Sequence, residues 1–293
     1  MRLRGPAEEG ASWASPTTPL PAVRGHWEWV EDQPYVADGH PKRSRLVRRR
    51  HRFRWLRRLL TLVIGLTLLG SLALGGLLLV TPSVGDAQKI ARSFDRSHHA
   101  AYPGPPVPGM FAAALTATED HRFYSEPGID PFGVARVTLD TVARRPDQGG
   151  ATLYQQLAKM LYTPGSTGTF AQAEQVGLGI KLYVTYTKAQ ILQMYADVAY
   201  FGHGYYGLAR ASCGYFGRQP AQLSWPQAAM LAGLVQAPSL DDPLTHYANA
   251  RARQAHVLGR LAAVGALTGT QASAAYAQSL HLIPGGGHCA GSA

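Results

Sequence analysis

Apolar and polar residues follow one another along the chain in blocks whose period is almost everywhere that of a helix. The longest apolar block, LLTLVIGLTLLGSLALGGLLLVT at residues 59–81, runs 23 residues without a charge. About 20 suffice to cross a bilayer core, so the block predicts a transmembrane helix. A secretory signal peptide fits less well, because the block starts far from the N-terminus, exceeds a usual h-region and lacks a clear small-residue cleavage site. After the stretch SVGDAQKIARSFDRSHHAAYPGPP, apolar positions recur at helical spacing and strand-like alternation is nearly absent, so the fold class is mainly α. Thr152 with Gln155, Thr187 with Gln190 and Ser224 with Gln227 have the spacing of capping boxes and mark three helix starts. Asp130 before Pro131 marks a fourth. Pro238 is expected to close the helix begun after Ser224. The segments HYANARARQAHVLGRLAAVG and TQASAAYAQSL carry one apolar stripe each and read as packing elements.

Charge adds a direction to this picture. Residues 1–58 hold 13 Lys and Arg against 6 Asp and Glu, so about +7 of the formal +10 lies in the first fifth of the 293 residues. Ten basic residues and no acid occupy KRSRLVRRRHRFRWLRR, residues 42–58, directly before the apolar block. The positive-inside rule then keeps the N-terminus cytoplasmic and sends the rest across the membrane, and the basic run suits anionic lipid headgroups. The remainder is nearly balanced in charge, which argues against a nucleic-acid partner. The expected organisation is a disordered basic cytoplasmic tail (1–58), a transmembrane helix (59–81), a linker (82–104), one helical domain (105–282) and a flexible tail (283–293). The two cysteines, Cys213 and Cys289, show neither metal spacing nor a disulfide framework.

Two clusters carry chemistry. In TATEDHRFYSEPGID the acids Glu119 and Asp120 end an apolar helix-like run. The negative end of the helix dipole and the neighbouring Asp120 disfavour ionisation of Glu119, which suits a general base. An ordinary solvated helix end is the alternative. In QGGATLYQQLAK, Gly149 and Gly150 precede the cap at Thr152, where free amides can hold an anion. Gln155, Gln156 and Lys159 follow on nearly one face and could meet one ligand. A plain capping box with a solvated lysine explains the same residues.

Together, EDHRFYSEPGID and GGATLYQQLAK resemble the first two signatures of the peptidoglycan glycosyltransferases, family 51. YTKAQILQMYADVAYFGHGYYGLARASCGYFGR and LSWPQAAMLAGLVQAPSLDDP are similar to the fourth and fifth. The resemblance covers residues 108–243 in detail and extends to near residue 282. It implies a lysozyme-like helical domain with a smaller membrane-associated lobe, of the single-domain, membrane-anchored kind. The implied reaction polymerises lipid II, a lipid-linked disaccharide, into glycan strands with inversion. Glu119 matches the family's base. Lys159 and the amides near Gly149, Gly150 and Thr152 would lie by the pyrophosphate, with Gln155 and Gln156 orienting the donor and Asp120 in the same binding set. Implied partners are lipid II, the growing glycan strand, the membrane and cell-wall synthesis or division proteins. No cofactor is required by these residues, although a divalent metal, magnesium or manganese, is admissible.

The match fails in places. Glu126 stands where the family has histidine, and Asp197 where it has asparagine. Gapless alignment puts Ala171, Gln172 and Gln175 at the Arg, Lys and Glu of the third signature. A one-residue length change in the loop YTPGSTGTFAQA would instead make Glu174 the second catalytic acid, with Gln175 beside the substrate. Two other readings follow: a degenerate member that binds lipid II or a cell-wall partner without polymerising it, and a lysozyme-like hydrolase. The Gly, Gln and Lys cluster argues against the hydrolase, since a glycosidic ether has no pyrophosphate to hold.

Overall fold

The computed structural model describes residues 44–125 and 151–287 and divides into two units, residues 1–59 and 60–293. The described part of the first is the basic opening of helix α1 (Ser44–Val80). Within α1, Phe53–Val80 is long and apolar enough to cross a membrane, and its apolar window is not buried.

In the second unit, the end of α1 is followed by α2 (Ala87–Ser97), α3 (Gly109–Glu119), α4 (Leu153–Tyr162), α5 (Thr169–Thr185) and α6 (Lys188–Val198). Then come α7 (Leu208–Phe216), a 3-10 turn (Pro220–Gln222), α8 (Trp225–Leu234), α9 (Tyr247–Ala263) and α10 (Gly269–Ala277). The described residues contain no strand beyond one isolated bridge between Tyr200 and Tyr206, so the chain is mainly α, as its periodicity indicates. Helix α8 is the centre of the core. Every residue from Pro226 to Leu234 is buried, as a helix apolar all round requires, and α3 and α9 pack against it. Gly233 lets α9 pass close: a Cβ there would stand 2.9 Å from Cγ of Arg253.

The capping boxes at Thr152, Thr187 and Ser224 are present, and a fourth occurs at Thr268 with Gln271. The start expected at Asp130 and Pro131 lies outside the described residues. Helix α8 ends at Leu234 rather than running to Pro238, because the chain turns there with the Ala237 amide bonded to the Leu234 carbonyl at 3.2 Å. Residues 82–104, expected as a linker, contain α2, whose Ala87, Ala91 and Asp95 are buried. The described part of the expected tail is docked: Ile283 and Gly287 donate their amides to the carbonyls of Tyr215 and Gly214. Cys213 is disulfide-bonded, a pairing that cysteine spacing did not announce.

The C-terminal end of α1 rests on α5. Lys181 Nζ donates to the carbonyls of Thr81 at 2.5 Å and Pro82 at 2.9 Å. Opposite Gly177 the helices come close, since a Cβ there would lie 3.1 Å from both Leu77 Cγ and Thr81 Cγ2.

Candidate active site

Glu119 is the last residue of α3 and opens into a cavity of about 740 Å³. Helix α4 contributes Gln156 and Lys159, α6 contributes Tyr195, and α9 contributes Arg253 and His256. Three residues on a helix turn 300°, so Gln156 and Lys159 share a face as their spacing predicts. The short loop between α6 and α7 sets Tyr200 and Tyr206 side by side on another wall, with ring centroids 4.6 Å apart.

The Glu119 carboxylate is 12% exposed and gripped at both oxygens. Gln156 Nε2 donates to Oε2 at 3.2 Å, and Arg253 Nη2 stands 3.5 Å from Oε1. Its pKa is raised, with burial as the first cause; the Gln156 hydrogen bond and the Arg253 guanidinium pull it down, and the charge of Asp120 adds a smaller push up. The direction matches the expectation from sequence, but desolvation rather than the adjacent acid leads. Arg253 also anchors its Nε to the Gly233 carbonyl at 3.3 Å, so the guanidinium reaches the carboxylate from a fixed base. The Lys159 side chain lines the cavity and is exposed.

The other expected residues go elsewhere. Asp120 is buried and its Oδ2 accepts from the Leu153 amide at 3.0 Å, which ties the end of α3 to the start of α4. Thr152 and Gln155 spend their side chains on the capping box: the Thr152 amide donates to Gln155 Oε1 at 3.1 Å, and the Gln155 amide to Thr152 Oγ1 at 3.3 Å. Gln155 therefore does not share the ligand face with Gln156 and Lys159. One residue along a helix rotates a side chain by about 100°, and Gln155 turns toward α5, where a Cβ on Gly179 would meet its Cγ at 3.3 Å. The amides of Thr152, Leu153 and Gln155 are thus already bonded within the protein, so of the expected anion cradle Thr152 has no free amide to offer. Gly149, Gly150 and Glu126 lie outside the described residues.

On α5, Glu174 lines a crevice with Ala73, Gly76, Leu77 and Val80 of α1; the structure does not bring it to the cavity of Glu119. Gln175 instead donates to Thr163 Oγ1 at 3.1 Å, one residue before Pro164 on the cavity rim. Ala171 is buried and Gln172 exposed. Tyr195 and Arg253 escaped the sequence reading: Arg253 sits in a segment that reads as a packing element, Tyr195 in the segment similar to the fourth signature but with no role of its own there, and only tertiary contact brings them to Glu119. The described residues hold no group of three or more His, Cys, Asp or Glu able to ligate a metal, and both Glu119 oxygens face donors. The described donor set does not fit a metal site.

Asp197 lies on α6 outside this cavity. Its Oδ1 accepts from Gln193 Nε2 at 2.9 Å and from the Gly104 amide, while the buried Oδ2 has no hydrogen-bond partner. Both carboxylate oxygens of Asp95, buried on α2, also lack one. Burial pushes Asp197 up to about 6, and burial together with the charge of Asp197 pushes Asp95 up to about 7.

A family model described as Transglycosylase matches residues 87–262, more than half of the chain. A Cupriavidus necator protein described as a candidate transglycosylase is 34% identical over 176 residues, which cover 60% of this chain and 76% of that protein. Penicillin-binding protein 1F of Bacillus subtilis is 34% identical over 60% of this chain and 25% of its own length. For penicillin-binding protein 1A of Escherichia coli the figures are 34%, 56% and 20%, so the chain spans a quarter or less of these two longer relatives. A crystal structure of penicillin-binding protein 1A from Haemophilus influenzae aligns with 45% of this chain and 16% of its own at 23% identity and a TM-score of 0.32. From the matched family model and these relatives, the chain belongs to the transglycosylase family, the peptidoglycan glycosyltransferases.

Proposed function

We propose that the enzyme polymerises lipid II into glycan strands, with Glu119 as general base and inversion at the anomeric carbon. The observation that carries this reading is the setting of Glu119: a desolvated carboxylate with a raised pKa, in a cavity it shares with the exposed ammonium of Lys159. A sugar hydroxyl is a weak nucleophile until a base takes its proton, and a base works best with a pKa near the operating pH. As the acceptor oxygen bonds to the anomeric carbon of the donor, its proton passes to Glu119 and the bond to the lipid pyrophosphate breaks on the opposite face. No covalent enzyme intermediate is then needed. Lys159 and Arg253 supply the positive charge that receives the departing pyrophosphate. In this reading the bonded amides at the start of α4 serve to fix Gln156 and Lys159, rather than to touch the anion. The N-terminus is cytoplasmic and the domain after α1 lies outside the membrane, following the basic run before the apolar block.

Replacing Glu119 with glutamine keeps size and hydrogen bonding while removing the base. Polymer yield from labelled lipid II should fall by about a hundredfold or more while substrate still binds; near-normal turnover would exclude the role. A second reading, a family member that binds lipid II without polymerising it, is favoured by one observation. The side chain beside the cavity rim is the neutral Gln175, while Glu174 faces α1. Tight binding without elongation by the wild-type chain would select it.

A further inference from the structure

Tyr195 is 2% exposed, and its hydroxyl donates to Gln156 Oε1 at 2.8 Å. The other end of the same amide, Nε2, donates to Glu119 Oε2 at 3.2 Å and lies 3.4 Å from the Ala151 carbonyl oxygen. An ionised carboxylate and a carbonyl can only accept, so both of these neighbours require Nε2 on their side. Oε1 is then left facing Tyr195, which must donate. An amide side chain rotated by half a turn fills the same space with donor and acceptor exchanged. In that orientation its oxygen would oppose the carboxylate instead of stabilising it.

We propose that Tyr195 is a positioning residue for Glu119, holding the Gln156 side-chain amide in the one orientation that presents its N–H to the carboxylate. The inference rests on the reading of Glu119 as the base and adds how its ionised form is maintained. Burial and the charge of Glu119 both raise the Tyr195 pKa, so the phenol stays protonated and remains a donor at any working pH. Among the described residues, the other charged and titratable groups around Glu119 are Asp120 beside it, Arg253 and His256 from α9, Lys159 from α4, and the phenols Tyr200 and Tyr206 from the loop between α6 and α7. Arg253 favours the ionised carboxylate, whereas the His256 pKa is lowered by burial and by Arg253 and Arg260, which leaves it neutral near pH 7. The Tyr195–Gln156 pair is thus the neutral device acting on Oε2, opposite the cation on Oε1.

Tyr195→Phe keeps the buried ring and deletes the donor. In the full chain in detergent, the acid limb of the kcat/KM profile should move up by about half to one pH unit. The loss of turnover should be several-fold larger at pH 6 than at pH 9. A purely structural role would lower activity by the same factor at every pH. Gln156→Leu should shift the limb in the same direction, and adding Tyr195→Phe to it should shift it no further; this arm also serves if the single Tyr195 variant folds poorly. Infrared titration of the carboxyl group, taken as the difference between each protein and its Glu119→Gln counterpart, reads Glu119 without turnover. A shifted titration alongside an active Glu119→Gln enzyme would keep the positioning role and discard the base. An unshifted titration and acid limb in Tyr195→Phe would overturn the inference.

Discussion

Asp197→Asn should stabilise the enzyme at neutral and alkaline pH and do almost nothing in acid. The fold raises the Asp197 pKa from an ordinary 3.8 to about 6, chiefly through burial. At pH 4 the folded carboxyl is protonated and costs little. As pH rises through the unfolded value toward the folded one, the unfolded chain releases its proton more readily, so stability declines and then levels off. A rise of about two units corresponds to roughly 3 kcal/mol at pH 8. Asparagine keeps the oxygen that accepts from Gln193 and Gly104, removes the ionisation, and takes away the negative charge that helps raise the Asp95 pKa. Gly104 shows how closely the site is fitted, since a Cβ there would lie 2.6 Å from Asp197 Oδ1; asparagine, equal in shape, respects that contact. For a domain of this size the gain corresponds to roughly 6–12 °C in Tm. Thermal unfolding of the full chain in detergent at about pH 4 and pH 8 measures it. An equal shift at both pH values, or a loss at pH 8, would refute the assignment of an ionisation cost to this buried pair.

Lys159→Ala should weaken lipid II binding more than it slows turnover at saturation, because pyrophosphate is charged already in the ground state; unchanged affinity by direct binding assay removes the lysine from that site. Glu174→Gln should leave polymer yield within about twofold, since the side chain faces α1, whereas Gln175→Glu should raise yield by holding a cationic side chain in place beside the departing pyrophosphate. A wild type that polymerises and ignores both changes defeats either placement of a second acid. Protease added outside intact spheroplasts should digest the chain after residue 81 and spare residues 1–58; a protected C-terminal domain would reverse the orientation.

What could be read from the sequence was what the chain states locally. A capping box spans four residues, so Thr152 and Gln155 announce the start of α4, and the three-residue step from Gln156 to Lys159 places both on the cavity. The same locality misled at Gln155, where one glutamine satisfies two patterns, cap and ligand, and only the packing of α5 decides between them. Arg253 and Tyr195 could not be found this way. Each lies on a helix whose own pattern is explained by burial, and each acquires a role only through a partner far along the chain. The raised pKa of Glu119 was foreseen from its neighbour and helix end, while its leading cause, desolvation, belongs to the assembled cavity.

The contact between α1 and α5 determines what kind of tether the enzyme has. Lys181 ties down the carbonyls of Thr81 and Pro82, just past the end of α1, and Gly177 removes the side chain that would hold the two helices apart. A flexible linker would let the domain sample a hemisphere above the bilayer and would make encounter with a membrane-bound donor a matter of chain statistics. Here the end of α1 is tied directly to α5, which restrains how freely the domain swings about that end. With lipid II as donor, the reading proposed for this enzyme, the domain would search by lateral diffusion in two dimensions. Lengthening the segment between Pro82 and Ala87 with glycines would leave the Lys181 contacts in place, whereas Gly177→Leu would press against Leu77 and Thr81 and open the contact.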